Sequence, residues 1–265
     1  NKLDFLKKGI VNLEDQKLIL IEASFIFLYG LGTNIFSRID IFMTQKYLSN
    51  VDLGNYVASF KIVSFVYVFP LIISNIFFPK ILLLETKETN KLKKIYFITF
   101  WISVSLFLFL FVFRNTIIDF VFDKNLYNVH EIFTISSFAI IFIGLSSTYV
   151  KVLHRESLQK LLFYRSLIGI AFNILLNYLL IPSYGILGVC YATVISLFYI
   201  ENYSRGDAKY HQPSQGFKKI PKIDMVGKKA QFVSIFCFLL FLISFIFPTF
   251  QMIFWTIKFP KYFDL

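Results

Sequence analysis

Residues 95–113 read IYFITFWISVSLFLFLFVF, an unbroken stretch without a charged residue. Its length matches the roughly 20 apolar residues that an α-helix needs to cross the hydrocarbon core of a bilayer. A soluble protein would spread its charges along amphipathic helices, whereas here they fall almost entirely between apolar runs. The sequence therefore predicts an all-α, polytopic bundle of seven transmembrane helices. The other six runs lie near 18–36, 55–78, 132–150, 163–181, 184–200 and 230–250.

The charge distribution predicts the orientation of these spans. The chain has 27 Lys and Arg against 16 Asp and Glu, a net charge of +11. Most of the basic residues fall in alternate connections, which the positive-inside rule assigns to the cytoplasm. We therefore interpret the basic excess as a topology signal that also attracts anionic lipid headgroups, not as a nucleic-acid site. The basic connections are 1–17, 79–94, 151–162 and 201–229, with Arg165 just inside the following span.

The predicted organisation has four parts. Residues 1–17 alternate apolar and charged side chains, as in an interfacial segment that enters from the cytoplasm. Residues 18–201 form a six-helix unit, and the polar, proline-containing stretch 202–229 is a cytoplasmic linker. Residues 230–265 hold an extra span and an aromatic tail of unassigned origin. The predicted outer connections are short and lie at about 44–54, 114–131 and a tight turn at 182–185.

Polar side chains line one side of the first span. At 100° per residue they fall within about 60° of one another, and Asn34 lies beside them. The stripe predicts either the wall of a polar cavity or polar contacts between packed helices. Arg38 points about 160° away from Asp40, so no salt bridge is expected between them. The stripe consists of Glu22, Tyr29, Thr33, Ser37 and Asp40.

The second span contains a lysine. Lys61 shares a helix face with Ser64, Val68 and Asn75, opposite Pro70. It lies roughly 9 Å from the predicted outer end of the span, a depth from which a lysine can extend to the headgroups. The alternative is a cation that faces an anionic substrate.

The fifth span repeats small and polar residues every four positions. Arg165, Gly169, Asn173 and Asn177 form this stripe. Close packing of small residues and amide hydrogen bonds explains it as well as transport does. Arg165 also suits a topology anchor at the cytoplasmic end.

Two stretches of sequence resemble a known family. The first comprises SRIDIFM at 37–43, GNYVASFKI at 54–62 and NIFFP at 75–79. It resembles the R-x-D, G-x-Y-x-x-A-x-[KR] and [FY]-P pattern that opens the second lobe of Wzx-type polysaccharide flippases of the MATE-like superfamily. The second comprises Arg165, NILLN at 173–177 and IPSYGILG at 181–188, and is similar to that family's penultimate helix and the following turn. The likeness covers about 20–200.

The resemblance implies a transporter of two six-helix lobes around a cationic cavity. It would move an undecaprenyl-pyrophosphate-linked oligosaccharide across the bacterial inner membrane by alternating access. Expected partners are this lipid-linked oligosaccharide, membrane lipids and other polysaccharide-assembly membrane proteins, with no nucleic acid. The six spans here would be the second lobe. Because the chain begins with Asn and lacks the first lobe, we expect it to be a portion that does not transport alone.

The resemblance also implies substrate-binding positions. Lys61 occupies a cavity position that is basic in the family, and a pyrophosphate is held most strongly by cations in a low-dielectric cavity. Residues 202–265 do not match the usual end of such proteins. The full set of candidate substrate-binding residues is Lys61, Arg38, Asp40, Asn75, Arg165, Asn173 and Asn177.

Two other functions compete with this interpretation. A membrane polymerase or ligase of the same pathway tends to carry a long outer loop with catalytic residues, and the predicted outer loops are short. An ion-coupled MATE-type exporter would have an acidic, aromatic cavity, whereas Lys61 and Arg165 favour anionic cargo. The sequence holds no phosphate-binding glycine loop and no nucleophile elbow. We therefore expect no enzymatic activity, no cofactor and no metal site; Cys190 and Cys237 lie within apolar runs.

Overall fold

The computed structural model describes residues 13–84, 89–122 and 128–207, together with Leu239 alone. Every element in these ranges is α-helical, and none of them contains a strand. The predicted span 230–250, apart from Leu239, lies outside the described residues, as do 1–12 and 208–229. The helices are α1 (Leu13–Tyr47), α2 (Asn50–Leu83), α3 (Thr89–Val112), α4 (Arg114–Val121), α5 (Val129–Ser137), α6 (Ala139–Arg155) and α7 (Gln159–Asp207).

Five helical stretches are long and apolar enough to cross a membrane. This confirms the all-α transmembrane bundle and makes the chain a multi-pass membrane protein. The stretches are Ile19–Tyr47, Asn50–Leu83, Asn90–Val112, Val129–Arg155 and Gln159–Asn202.

The last of these stretches is a hairpin of two helices. Gly185 has non-helical backbone angles, φ 56° and ψ −131°, in a region that a residue with a Cβ rarely adopts. In one continuous helix Arg165 and Glu201 would be about 54 Å apart, yet their charged groups lie 3.6 Å apart. The rings of Phe172 and Tyr199 stack at 4.4 Å. The chain thus folds back at Gly185, as the predicted turn at 182–185 requires, into α7a (159–184) and α7b (186–207).

Helix ends differ from the predicted span ends. α1 extends well past the predicted span 18–36, and the connection expected at 44–54 is reduced to Leu48 and Ser49. Ser49 starts α2 because its hydroxyl accepts a hydrogen bond from the Asp52 backbone N–H at 3.2 Å, the usual role of an N-cap serine. A helix satisfies its own backbone hydrogen bonds in water as in lipid, so apolarity locates a crossing and not the helix ends.

Three predicted connections contain helix. α4 occupies much of the expected outer connection 114–131, and α2 and α3 both extend into the expected loop 79–94. The predicted span 132–150 is divided at Phe138 into α5 and α6. α7b continues through Asp207, so the predicted start of the linker at 202 is wrong.

α6 lies at the centre of the packing. A Cβ added at Gly144 would lie 2.9 Å from the Ser103 Cβ of α3 and 3.3 Å from the Pro70 Cβ of α2. The absence of a side chain at Gly144 therefore lets three helices approach closely. Small residues commonly have this role in membrane bundles. α1 stands apart from this centre, packs mainly along α7 and leaves most of its surface free.

Candidate functional site

Asp40 is buried where three helices meet. Only 3% of this α1 residue is exposed. Its carboxylate accepts hydrogen bonds from Tyr56 of α2 at 3.2 Å, Asn177 of α7a at 3.0 Å and Thr193 of α7b at 2.7 Å. All three partners are neutral, so the carboxylate is held by dipoles. A buried ionisable group in a membrane bundle is costly and usually functional.

The oxygen atoms around Asp40 can hold a proton or a small cation. The Thr193 hydroxyl lies within hydrogen-bond distance of both Asp40 Oδ2, at 2.7 Å, and the Val189 carbonyl oxygen, at 2.9 Å. A hydroxyl has one hydrogen, so these two contacts are either a bifurcated hydrogen bond or one bond donated by Thr193 and one accepted from a protonated Asp40. Asn177 Oδ1 is also buried, without a hydrogen-bond partner among the described residues. Hard cations prefer such oxygen ligands.

The stripe predicted on the fifth span faces the bundle interior. Arg165, Asn173 and Asn177 are all buried, and the Asn177 amide also donates to Asn173 Oδ1 at 2.8 Å. A Cβ at Gly169 would overlap the side chain of Ile200. Asn173 and Asn177 therefore belong to the Asp40 cluster, and Gly169 provides close packing between α7a and α7b.

Arg165 lies in a different cluster from Asp40. It forms an ion pair with Glu201 and donates to the Ser146 hydroxyl. Arg165 is therefore buried and paired within the bundle, near the end that the basic residues predict to be cytoplasmic.

Lys61, Asn75 and Arg38 are not part of either buried cluster. All three are exposed, and Lys61 lies on the face of α2 opposite the buried Pro70, as predicted. Because α2 begins at Asn50, Lys61 is about 16 Å along the helix from its first residue. The candidate residues thus divide into a buried set and an exposed set.

The polar stripe on α1 is divided between two environments. Asp40 makes helix–helix contacts, whereas Thr33, Asn34 and Ser37 are exposed and donate to the helix's own carbonyl oxygens. Asp40 thus fits the helix–helix interpretation of the stripe, and a polar cavity beside the exposed residues stays a prediction. The exposed apolar residues of α1, such as Ile35 and Phe42, lie on another sector of the helix.

Sequence reasoning missed several partners of these residues. Tyr56 and Thr193 hold Asp40, while Tyr96, Ser146 and Glu201 surround Arg165. A signal existed for Glu201, because it is a carboxylate at the end of an apolar run, in helical register with Thr193. No comparable signal marks Tyr96 among the many aromatic residues.

Metal ligands do not gather in the part of the chain that the structure describes. No group of three or more His, Cys, Asp or Glu side chains there could hold a metal ion. A cation at Asp40 would instead rely on hydroxyl, amide and carbonyl oxygens.

Comparisons with known proteins were made at three levels. The chain matches no family model, no curated protein and no solved structure.

Proposed function

We propose that this chain is a lobe of a bacterial inner-membrane transporter that flips an undecaprenyl-pyrophosphate-linked oligosaccharide for surface polysaccharide synthesis. The proposal is supported by a membrane bundle that exposes Arg38 and Lys61 on its first two helices and by the sequence resemblance to Wzx-type flippases. The cargo would carry a pyrophosphate, which requires cations, and a long lipid, which requires a groove open to the bilayer.

Two exposed cations, one on α1 and one on α2, carry the proposal. Arg38 and Lys61 lie on free surfaces of the two helices that contribute least to the bundle interior. A cation that faces lipid is costly, so the surfaces that carry Arg38 and Lys61 are expected to line a wet cavity closed by a second lobe. There, Lys61 and Arg38 would attract the pyrophosphate across a medium of low dielectric constant.

The direct test is transport in liposomes. The full-length protein is reconstituted with a fluorescent undecaprenyl-pyrophosphate-linked oligosaccharide, and a membrane-impermeant quencher reports which leaflet holds it. We expect protein-dependent movement between leaflets, and no movement for a phosphatidylcholine carrying the same fluorophore. Absence of movement under an imposed ion gradient of either direction would contradict the proposal.

An ion-coupled exporter is the second candidate, because the Asp40 cluster supplies the kind of buried carboxylate that ion coupling uses. A buried carboxylate with neutral partners suits coupling to an ion gradient whatever the cargo. The two candidates differ in the charge of the cargo. Gradient-driven uptake of a cationic dye by the same liposomes, without movement of the lipid-linked oligosaccharide, would establish the exporter.

The exposed polar residues of α1 and α2 also predict the behaviour of residues 1–265 expressed alone. Expressed in a flippase-deficient strain, they should fail to restore surface polysaccharide, because the polar faces of α1 and α2 would meet lipid. Restoration at normal membrane abundance would show that these residues suffice, for example as a symmetric pair.

A further inference from the structure

A second buried cluster lies at the opposite end of the α7 hairpin from Asp40. Arg165 Nη2 of α7a lies 3.6 Å from Glu201 Oε2 of α7b, with side-chain exposures of 5% and 0%. Tyr96 of α3 donates to Glu201 Oε1 at 3.1 Å. On α6, Ser146 accepts from Arg165, and the guanidinium lies 5.5 Å from the ring centroid of Tyr149. Four helical segments therefore converge on one ion pair.

The ion pair lies near the end of the bundle that the basic residues predict to be cytoplasmic. Arg165 is six residues into α7, which begins at Gln159. Asn177, in the Asp40 cluster, is twelve residues further on, or about 18 Å along the helix. The Arg165–Glu201 pair is thus a separate layer, between the Asp40 cluster and the predicted cytoplasm.

The geometry does not favour stability as the main role of this pair. Moving both charges out of water is costly, and well-packed apolar residues usually stabilise as well or better. The 3.6 Å separation is too long for a hydrogen bond, and Arg165 Nε has no partner within the described ranges. Ionisable groups kept under these conditions in a membrane bundle usually have a function.

A buried ion pair has a property that an apolar contact lacks. Its attraction is strong in a dry interior and collapses when water enters, because water screens the charges. Such a contact is either closed and dry or open and wet, with little stability in between. This behaviour suits a contact that must release during a conformational change.

We propose that Arg165 and Glu201 form a releasable latch that holds the end of α7b against α3, α6 and α7a and closes this end of the bundle. Arg165 and Glu201 are positioning residues in this role. The inference rests on the proposed function only in requiring that the lobe changes conformation. It does not depend on the cargo.

The test measures water access to the packed end of the bundle that the latch closes. Leu162 is fully buried, one turn from Arg165 towards the start of α7, and packs with Tyr96 and Tyr149. In the full chain with Cys190→Ala and Cys237→Ala, Leu162→Cys provides a single thiol. Labelling by a membrane-impermeant maleimide is followed in membrane vesicles of each orientation, and vesicles without the Leu162→Cys substitution give the background.

Three latch variants separate release from simple charge neutralisation. Glu201→Gln keeps the side-chain volume and an oxygen for the Tyr96 hydrogen bond, but leaves the charge of Arg165 uncompensated. Arg165→Gln leaves the charge of Glu201 uncompensated. The double variant removes both charges, so any instability caused by an unpaired charge disappears. We expect all three to label about tenfold faster than the parent, within the range typical of conformational coupling, with normal abundance of the double variant.

The labelling rate of Leu162→Cys also provides the control and the outcomes that would contradict the latch. Glu156→Gln removes a carboxylate that pairs with Arg155 at the same end of the bundle, and should label at the parent rate. Parent-rate labelling of the double variant would show that the two charges only neutralise each other and would overturn the latch, as would equal acceleration by Glu156→Gln. Failure of oligosaccharide flipping with accelerated labelling would overturn the proposed function and leave the latch.

Discussion

At the scale of single residues, Lys61 and Asp40 occupy opposite environments. Lys61 is exposed on a free face of α2, whereas Asp40 is enclosed by three helices. An exposed cation can be exchanged for another cation, but an enclosed carboxylate depends on both its charge and its shape. The two residues therefore lead to different substitution patterns.

Lys61 is expected to need only its positive charge. In the full-length protein, Lys61→Arg should retain most surface polysaccharide, whereas Lys61→Ala should reduce it about tenfold, equivalent to loss of roughly 1.4 kcal/mol of substrate interaction. The measurement is surface polysaccharide per unit of membrane protein. Lys46→Ala, an exposed lysine in the last turn of α1, is the matched control. Full activity of Lys61→Ala would leave Lys61 as a lysine that merely reaches the headgroups.

Asp40 is expected to need its charge as well as its hydrogen bonds. Asp40→Asn keeps the volume but removes the charge, so ion-driven transport should fall by at least about tenfold at unchanged abundance. Thr193→Val should make the transport rate depend less on ion concentration, because it removes one oxygen at 2.7 Å from the carboxylate.

The control for the Asp40 cluster is Thr44→Val. Thr44 is equally buried, but its hydroxyl donates to the backbone carbonyl of Asp40 at 2.7 Å and not to the carboxylate. Ion dependence should therefore be unchanged in Thr44→Val. Equal changes in the two valine variants would show that the Asp40 oxygens hold no ion.

Sequence reasoning placed Asp40 on the correct stripe but could not choose its environment. Helical periodicity defines which side chains share a face of α1, whereas burial depends on which helix packs there. Asn177 and Thr193 lie 137 and 153 positions away in the chain, so no local pattern connects them. The position of Lys61 opposite Pro70 could be predicted, because it follows from the geometry of a single helix.

At the scale of helices, the crossing of α6 with α2 and α3 depends on Gly144. Gly144→Ala should destabilise the bundle by about 1–3 kcal/mol through overpacking, because the new Cβ would lie 2.9 Å from the Ser103 Cβ. The apparent melting temperature in detergent is expected to fall by several degrees. Gly54→Ala, at an open helical position with no atom within 4 Å of a new Cβ, is the control.

A second substitution tests the cause of that loss. Ser103→Gly removes the side chain that the new Cβ would meet, so the double variant with Gly144→Ala should recover part of the stability. Non-additivity of the two changes is the expected sign of direct contact. Strict additivity would mean that the two helices do not approach closely at this point.

The helix scale also shows what apolar runs encode. The two runs at 163–181 and 184–200 predicted two spans joined by a tight turn, and the hairpin at Gly185 has that form. The helix α4 was not predicted. A hydropathy pattern reports which solvent a segment prefers, and α4 is a short helix within a stretch that was expected to be a connection.

At the scale of the whole molecule, the orientation is open to direct measurement. Reporter fusions at Thr89, Gln159 and Gln215 should indicate the cytoplasm, and a fusion after Leu265 should indicate the outer side. The reason is the concentration of basic residues in alternate connections. Thr89 and Gln159 are the first residues of α3 and α7, so these fusions report on helix ends directly. A periplasmic signal at any of the three internal sites would reverse the assignment.

The enclosure of Asp40 has a consequence for biogenesis. Its partners Asn177 and Thr193 are synthesised 137 and 153 residues after it, which at bacterial or eukaryotic rates of about 5–20 residues per second is roughly 7–30 s. During that interval α1 must enter or approach the bilayer with a carboxylate that these two partners do not yet hold. Nascent chains that end before α7 should therefore retain α1 at the insertion machinery, where cross-linking can detect it, until the α7 hairpin arrives and releases it into lipid.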